Sequence, residues 1–192
     1  MNYLFHLYLS GDDPAILTGN FMGDFVKGRL TDSYPPSLRR GIELHRRIDS
    51  FAQNHPGFTR SRLRIAPEFG LYRGILVDLY YDHFLASGWD RFSQEPLPAY
   101  LGRVRGVVEG NHALFPERLQ RLVPVIFEEM IPSYLSTEGV ALALERMSRR
   151  VSRANPLAQG GKELTRHYPA LQEDFLSFLP EIRRYAESLL RD

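Results

Sequence analysis

Cysteine is absent from the 192-residue chain. That excludes a disulfide framework and any thiolate metal cluster, so a metal site here must be built from His, Asp, Glu, Asn or backbone oxygen. Lysine is almost absent too. Two lysines stand against 22 arginines, and the net charge is only +1. A balance so near zero excludes a general polyanion binder but leaves room for a local basic face. There is no apolar run of the roughly 18 residues that a membrane helix needs. The opening "MNYLFHLYLS" is apolar, but it lacks a basic leader, carries His6 and soon meets Asp12 and Asp13. It reads as a poor signal peptide, which makes the cytoplasm the expected compartment. GxSxG, P-loop and HExxH motifs are missing as well.

What is present is helical. "SLRRGIELHRRIDSFAQN" places Leu38, Ile42, Leu44 or His45, and Ile48 at helical spacing. Pro35 and Pro36 precede it, Ser37 is a candidate cap, and His55-Pro56-Gly57 should end it. "LYRGILVDLYYDHFLA" lies between Gly70 and Gly88. Further helical patterns run through "PAYLGRVRGVVEGNHALF", "PERLQRLVPVIFEEM", "TEGVALALERMSRRVSR" and "YPALQEDFLSFLPEIRRYAESLL". Pro180 should kink the last or open a separate helix. Without βαβ alternation or a linker longer than a loop, the expectation is an all-α, compact domain of about six to eight helices over 1–192. "LTGNFMGDFVKG" reads as a helix despite Gly19 and Gly23. It should place Asn20 and Asp24 on one face and let another helix, or a ligand, come close.

The ionisable residues carry the functional signal. His45/Asp49, Asn20/Asp24 and Asp78/Asp82 are each four apart, about 6 Å along a helix, so each pair can reach one ion. Asp78 follows "GILV" and Asp82-His83 precedes "FL". Burying a lone carboxylate costs several kcal/mol unless a cation, a metal or a proton accompanies it. Arginine pairing and metal binding both answer that need. Singly, His6 and His45 read as satisfied helix histidines and Asp49 as a surface acid or a partner of Arg46. Together, His6, Asp24, His45, Asp49, Asp78, Asp82 and His83 form a mixed imidazole and carboxylate set suited to Mn²⁺, Fe²⁺ or Zn²⁺. The late "ERMSRRVSR" reads as a solvated face. It lacks the interleaved aromatics of a nucleic-acid surface.

The order "MNYLFHLYLS", "GNFMGDFVKG", "PPSLRRGIELHRRID", "DLYYDHFLASGW" resembles the acyl carrier protein phosphodiesterases, most strongly over residues 1 to about 90. The resemblance implies an enzyme that hydrolyses the phosphodiester joining 4′-phosphopantetheine to a serine of acyl carrier protein. It also implies an atypical branch of the all-helical, metal-dependent HD phosphohydrolases, with Mn²⁺ the expected ion and Mg²⁺, Fe²⁺ and Zn²⁺ as alternatives. The usual HD pair reads His then Asp; here the order is Asp82 then His83. Asp24, His45, Asp49 and Arg46 are the expected catalytic residues. His6, Asp78, Asp82 and His83 join Asp24, His45 and Asp49 as expected metal ligands. One of Arg46 and Arg47 should clamp phosphate. Arg39, Arg40, Arg60, Arg62 and Arg64 could form a basic rim for an acidic carrier, and neither nucleic acid nor membrane is an expected partner. Two rivals remain open: a phosphohydrolase acting on a nucleotide or small phosphoester, and a helical interaction module whose acids are merely paired with arginine.

Overall fold

A computed structural model describes residues 1–30 and 33–191, and those residues are all-α, with no strand among them. The order is α1 (Tyr3–Tyr8), α2 (Pro14–Met22), α3 (Pro36–Asn54), α4 (Pro56–Arg64), α5 (Tyr72–Ser87), α6 (Leu97–Gly110), α7 (Glu117–Val125), α8 (Ile131–Ser133), α9 (Thr137–Arg150) and α10 (Gly160–Arg191). A π-helical turn over Ile126–Met130 joins α7 to α8. These short pieces raise the helix number above the six to eight that periodicity suggested.

Helix α5 is the axis. Nearly every residue from Leu76 to Ala86 is buried, which is the signature of a helix covered on all sides. Helices α1 and α10 pack against it and against each other, with aromatic contacts linking α10 to both. Phe5 meets Phe175 edge-on at 6.2 Å between centroids, and Tyr81 meets Phe178 at 5.3 Å. No helix among the described residues is long and apolar enough to cross a membrane.

Pro180 neither breaks α10 nor starts a new helix, and the same holds for Pro169. A proline inside a helix costs about 3 kcal/mol. The buried stripe Leu164, Leu171, Phe175, Phe178, Leu179, Ile182 and Ala186 outweighs that cost. Ser37 does not cap α3, whose start carries no side-chain cap; Pro36 opens the first turn instead. At the other end His55 serves twice. It closes α3, and its Nδ1 accepts from the Gly57 N–H to open α4.

Helix α2 is shorter than expected. It ends at Met22 and passes into a 3₁₀ turn over Gly23–Phe25, so Asn20 and Asp24 do not share one α-helical face. Its glycines serve close approach. A Cβ on Gly19 would overlap the Leu38 carbonyl oxygen, and one on Gly41 would overlap the Ile16 carbonyl oxygen. The α2 and α3 backbones therefore touch, which fixes residues 20–24 directly over His45.

Candidate metal centre

Two imidazoles and a carboxylate meet where α1, α2 and α3 converge. The rings of His6 and His45 stack at 3.9 Å between centroids, 14° from parallel. Each is anchored through Nδ1 by the same residue. His6 Nδ1 lies 2.9 Å from the Asn20 side-chain oxygen, and His45 Nδ1 lies 2.9 Å from the Asn20 main-chain oxygen. The Asn20 amide is itself oriented, because Nδ2 donates to the His6 carbonyl and to Ser10 Oγ, both at 2.9 Å. Both acceptors are oxygens, so each Nδ1 carries a proton in the neutral ring and each Nε2 keeps its lone pair.

The two Nε2 atoms face Asp49. His6 Nε2 is 3.3 Å from Asp49 Oδ1, and His45 Nε2 is 3.4 Å from Oδ2 and 3.5 Å from Asp24 Oδ1. His6 Nε2 is buried and has no hydrogen-bond partner among the described residues. An orphaned, buried imidazole nitrogen beside carboxylate oxygens fits a metal ligand. One ligand atom from each of His6, His45 and Asp49 can be chosen so that all three lie within 4.8 Å of one another. Gly23 makes room for this arrangement, because a Cβ there would overlap the His45 ring.

Charges in the cluster are coupled. Burial opposes a charge on His45, but hydrogen bonds to Asp24 and Asp49 prevail and push it up to about 9. Burial and the neighbouring His45 hold His6 down to about 4. Burial would raise Asp49, but His45, His6 and the Met1 amino group drive it far below the carboxylate range. Asp24 is lowered, with burial overcome by His45. The Met1 amino group lies 2.8 Å from Asp49 Oδ1 and 3.1 Å from Asp78 Oδ1. Burial raises Asp78. Nothing in residue spacing signalled the amino group, and Asn20 was visible only as a partner of Asp24.

The remaining candidates are placed otherwise. Asp82 is fully buried, and its Oδ2 and Oδ1 accept from the Leu4 and Phe5 N–H groups at 3.0 and 3.1 Å. It holds the first turn of α1, where an acid is favoured. His83 has both nitrogens engaged, Nδ1 by the Tyr134 carbonyl at 2.7 Å and Nε2 by the Tyr168 hydroxyl at 3.1 Å. It is therefore not brought to the cluster. Arg46 Nη2 donates to the Val26 and Gly28 carbonyls at 2.9 and 2.8 Å, tying down the loop that follows Asp24. Arg47 is exposed. Of the expected rim, Arg60 and Arg64 are spent on Asp174.

A cleft of about 700 Å³ reaches the cluster, and Asp24, Asp49 and Asp78 are among its lining residues. An all-helical protein in which His6, His45 and Asp49 could hold a metal ion beside a cleft has the features of a hydrolase. The family model described as acyl carrier protein phosphodiesterase matches residues 1–182. Proteins named acyl carrier protein phosphodiesterase from Pectobacterium atrosepticum, Photorhabdus laumondii and Yersinia pestis are 32%, 30% and 30% identical to it. The alignments cover 98%, 98% and 97% of this chain and 98%, 96% and 98% of theirs. No solved structure matches the chain significantly. The chain belongs to the acyl carrier protein phosphodiesterase family.

Proposed function

We propose that this protein hydrolyses the phosphodiester between 4′-phosphopantetheine and a serine of holo acyl carrier protein, using a divalent metal, Mn²⁺ first among the candidates. The observation that carries the metal reading is the pair of Nε2 atoms, each oriented by Asn20 through the opposite ring nitrogen and each within 3.4 Å of an Asp49 oxygen. His6, His45 and Asp49 would hold the ion, with Asp24 beside them and Asp78 on the cleft wall. When bound, such an ion supplies Lewis-acid charge and lowers the pKa of water toward neutrality.

The chain's own residues do the rest. Hydrolysis adds water across the P–O(serine) bond: the water oxygen joins phosphorus, and the serine oxygen leaves and takes up a proton. Asp24, with its side chain about half exposed, is the carboxylate placed to accept a proton from that water. Arg46 acts as a positioning residue, because its guanidinium holds residues 26–28 and with them the turn that carries Asp24. Among the described residues, Asp24, Asp49 and Asp78 form no ion pair with arginine. An anionic phosphodiester nears that wall only when another cation offsets it. On this reading the described helices form one metallohydrolase domain, acting in the cytoplasm on an acidic protein partner.

Incubating holo acyl carrier protein with the enzyme and Mn²⁺, then weighing the intact carrier, tests the reading. Loss of the whole 4′-phosphopantetheine group is expected, and EDTA should prevent it. A carrier that keeps its prosthetic group while a nucleotide or small phosphodiester is cleaved would overturn the substrate assignment.

A further inference from the structure

The cleft leads outward to a surface that a protein with no docking partner would have little reason to expose. Its outer wall is built by the end of α4, the segment 65–71 and the first turn of α5. Leu71 is 93% exposed and Leu63 72%, the two most exposed large apolar side chains among the described residues. Ile75 is 39% exposed, and all three line the cleft that Asp24, Asp49 and Asp78 also line. The lip is held firmly from behind. Ile65 and Phe69 are buried, and Gly70, at φ +48°, turns the chain between the 3₁₀ turn Pro67–Phe69 and α5.

Two arginines stand among these apolar residues. Arg62 lies over the Phe58 ring at 5.9 Å, and Arg73 donates through Nε to the Ala66 carbonyl at 3.1 Å. Neither has an ion pair among the described residues, whereas nearby Arg60 and Arg64 are both committed to Asp174. Each therefore keeps guanidinium N–H donors free for an incoming carboxylate. Apolar anchors beside open guanidiniums, continuous with a reactive cleft, match a partner whose surface is apolar at its centre and acidic around it.

Resting on the reading above that holo acyl carrier protein is the substrate, we propose that the α4–α5 lip is the docking surface for that acidic carrier. Leu63, Leu71 and Ile75 cover the carrier's apolar patch, Arg62 and Arg73 pair with its carboxylates, and the prosthetic arm enters the cleft toward Asp49. The lip thus sets which protein reaches the cage, while the cage performs the hydrolysis.

The test compares steady-state hydrolysis of holo acyl carrier protein by the wild type, by the double variant Leu63→Ser/Leu71→Ser, by the double variant Arg62→Glu/Arg73→Glu, and by Leu142→Ser. Leu142 is another exposed leucine, outside the cleft lining. The leucine pair is expected to raise KM about tenfold, with kcat at saturation falling less than KM rises. The charge reversal should raise KM at least as far and flatten the salt dependence of kcat/KM. Leu142→Ser should match the wild type, and the unfolding midpoints should agree. Wild-type KM and salt dependence in both double variants would overturn the docking surface while leaving the hydrolysis intact. A wild type that cleaves no holo carrier would instead overturn the substrate reading, and the docking surface with it.

Discussion

Two acidic centres in this protein are satisfied in opposite ways. Asp174 on α10 is gripped by Arg60 Nε and Arg64 Nε, each at 2.8 Å, and by Ser61 Oγ at 3.2 Å, with Tyr81 behind the serine at 3.0 Å. Every donor there comes from the protein, and the centre is closed. Asp49 on α3 meets two imidazoles and an amino group, takes no guanidinium among the described residues, and opens onto a cleft. The chain has 22 arginines and commits two of them to one acid. Their absence from the other is a property of the architecture, not of supply. A carboxylate neutralised by guanidinium holds helices together, and one left facing imidazole nitrogens beside a cleft is available for chemistry.

Removing the central acid of each centre separates them most sharply. Asp49→Ala should lower hydrolysis of holo acyl carrier protein by about 10³-fold or more, roughly 4 kcal/mol of transition-state stabilisation, while the far-ultraviolet circular dichroism stays helical. Near-wild-type turnover would remove Asp49 from the reaction. Gly23→Ala is the next largest. The added methyl must displace the His45 ring, and a misplacement of about 1 Å should lower kcat about 10²-fold. Asp174→Asn should instead cost about 2–3 kcal/mol of stability, read as an earlier denaturant midpoint, with kcat per folded molecule unchanged. A loss of kcat there would merge the two centres into one.

The smallest effect is in pH. Burial would raise Asp174, but Arg64 and Arg60 hold its carboxyl below the ordinary value. An acid depressed in the folded state binds its proton more readily when unfolded. Its contribution is therefore complete above the unfolded pKa of about 4 and fades as pH falls through the folded value. The stability of the wild type should decline on that acid limb, and Asp174→Asn should decline less. Equal slopes would mean that the arginines do not hold the charge.

The helical periodicity and the Pro and Gly punctuation disclosed most of the fold. They failed where packing overrules local preference, as in α10, which runs through Pro169 and Pro180 on the strength of one apolar stripe. Four-residue spacing does bring His45 beside Asp49, because both project from one face of α3. The same spacing on α5 does not bring Asp78 and Asp82 to one partner. Both sit on buried α5, yet one faces the Met1 amino group and the other the backbone of α1. Spacing along one helix does not say which neighbour lies opposite. His83 stood in the expected set because it adjoins Asp82 in an apolar segment, and Tyr134 and Tyr168 engage it instead. Asn20 was hidden more deeply, since half of its role is carried by a carbonyl that every residue possesses.

That division of labour within Asn20 leaves the two rings unequally secured. His6 leans on an amide that a single codon change can delete, whereas His45 leans on main chain that survives any side-chain replacement short of unwinding α2. The stacked pair therefore has one fixed jaw and one adjustable jaw, and the grip of the whole cage can be loosened from the α1 side without disturbing α3.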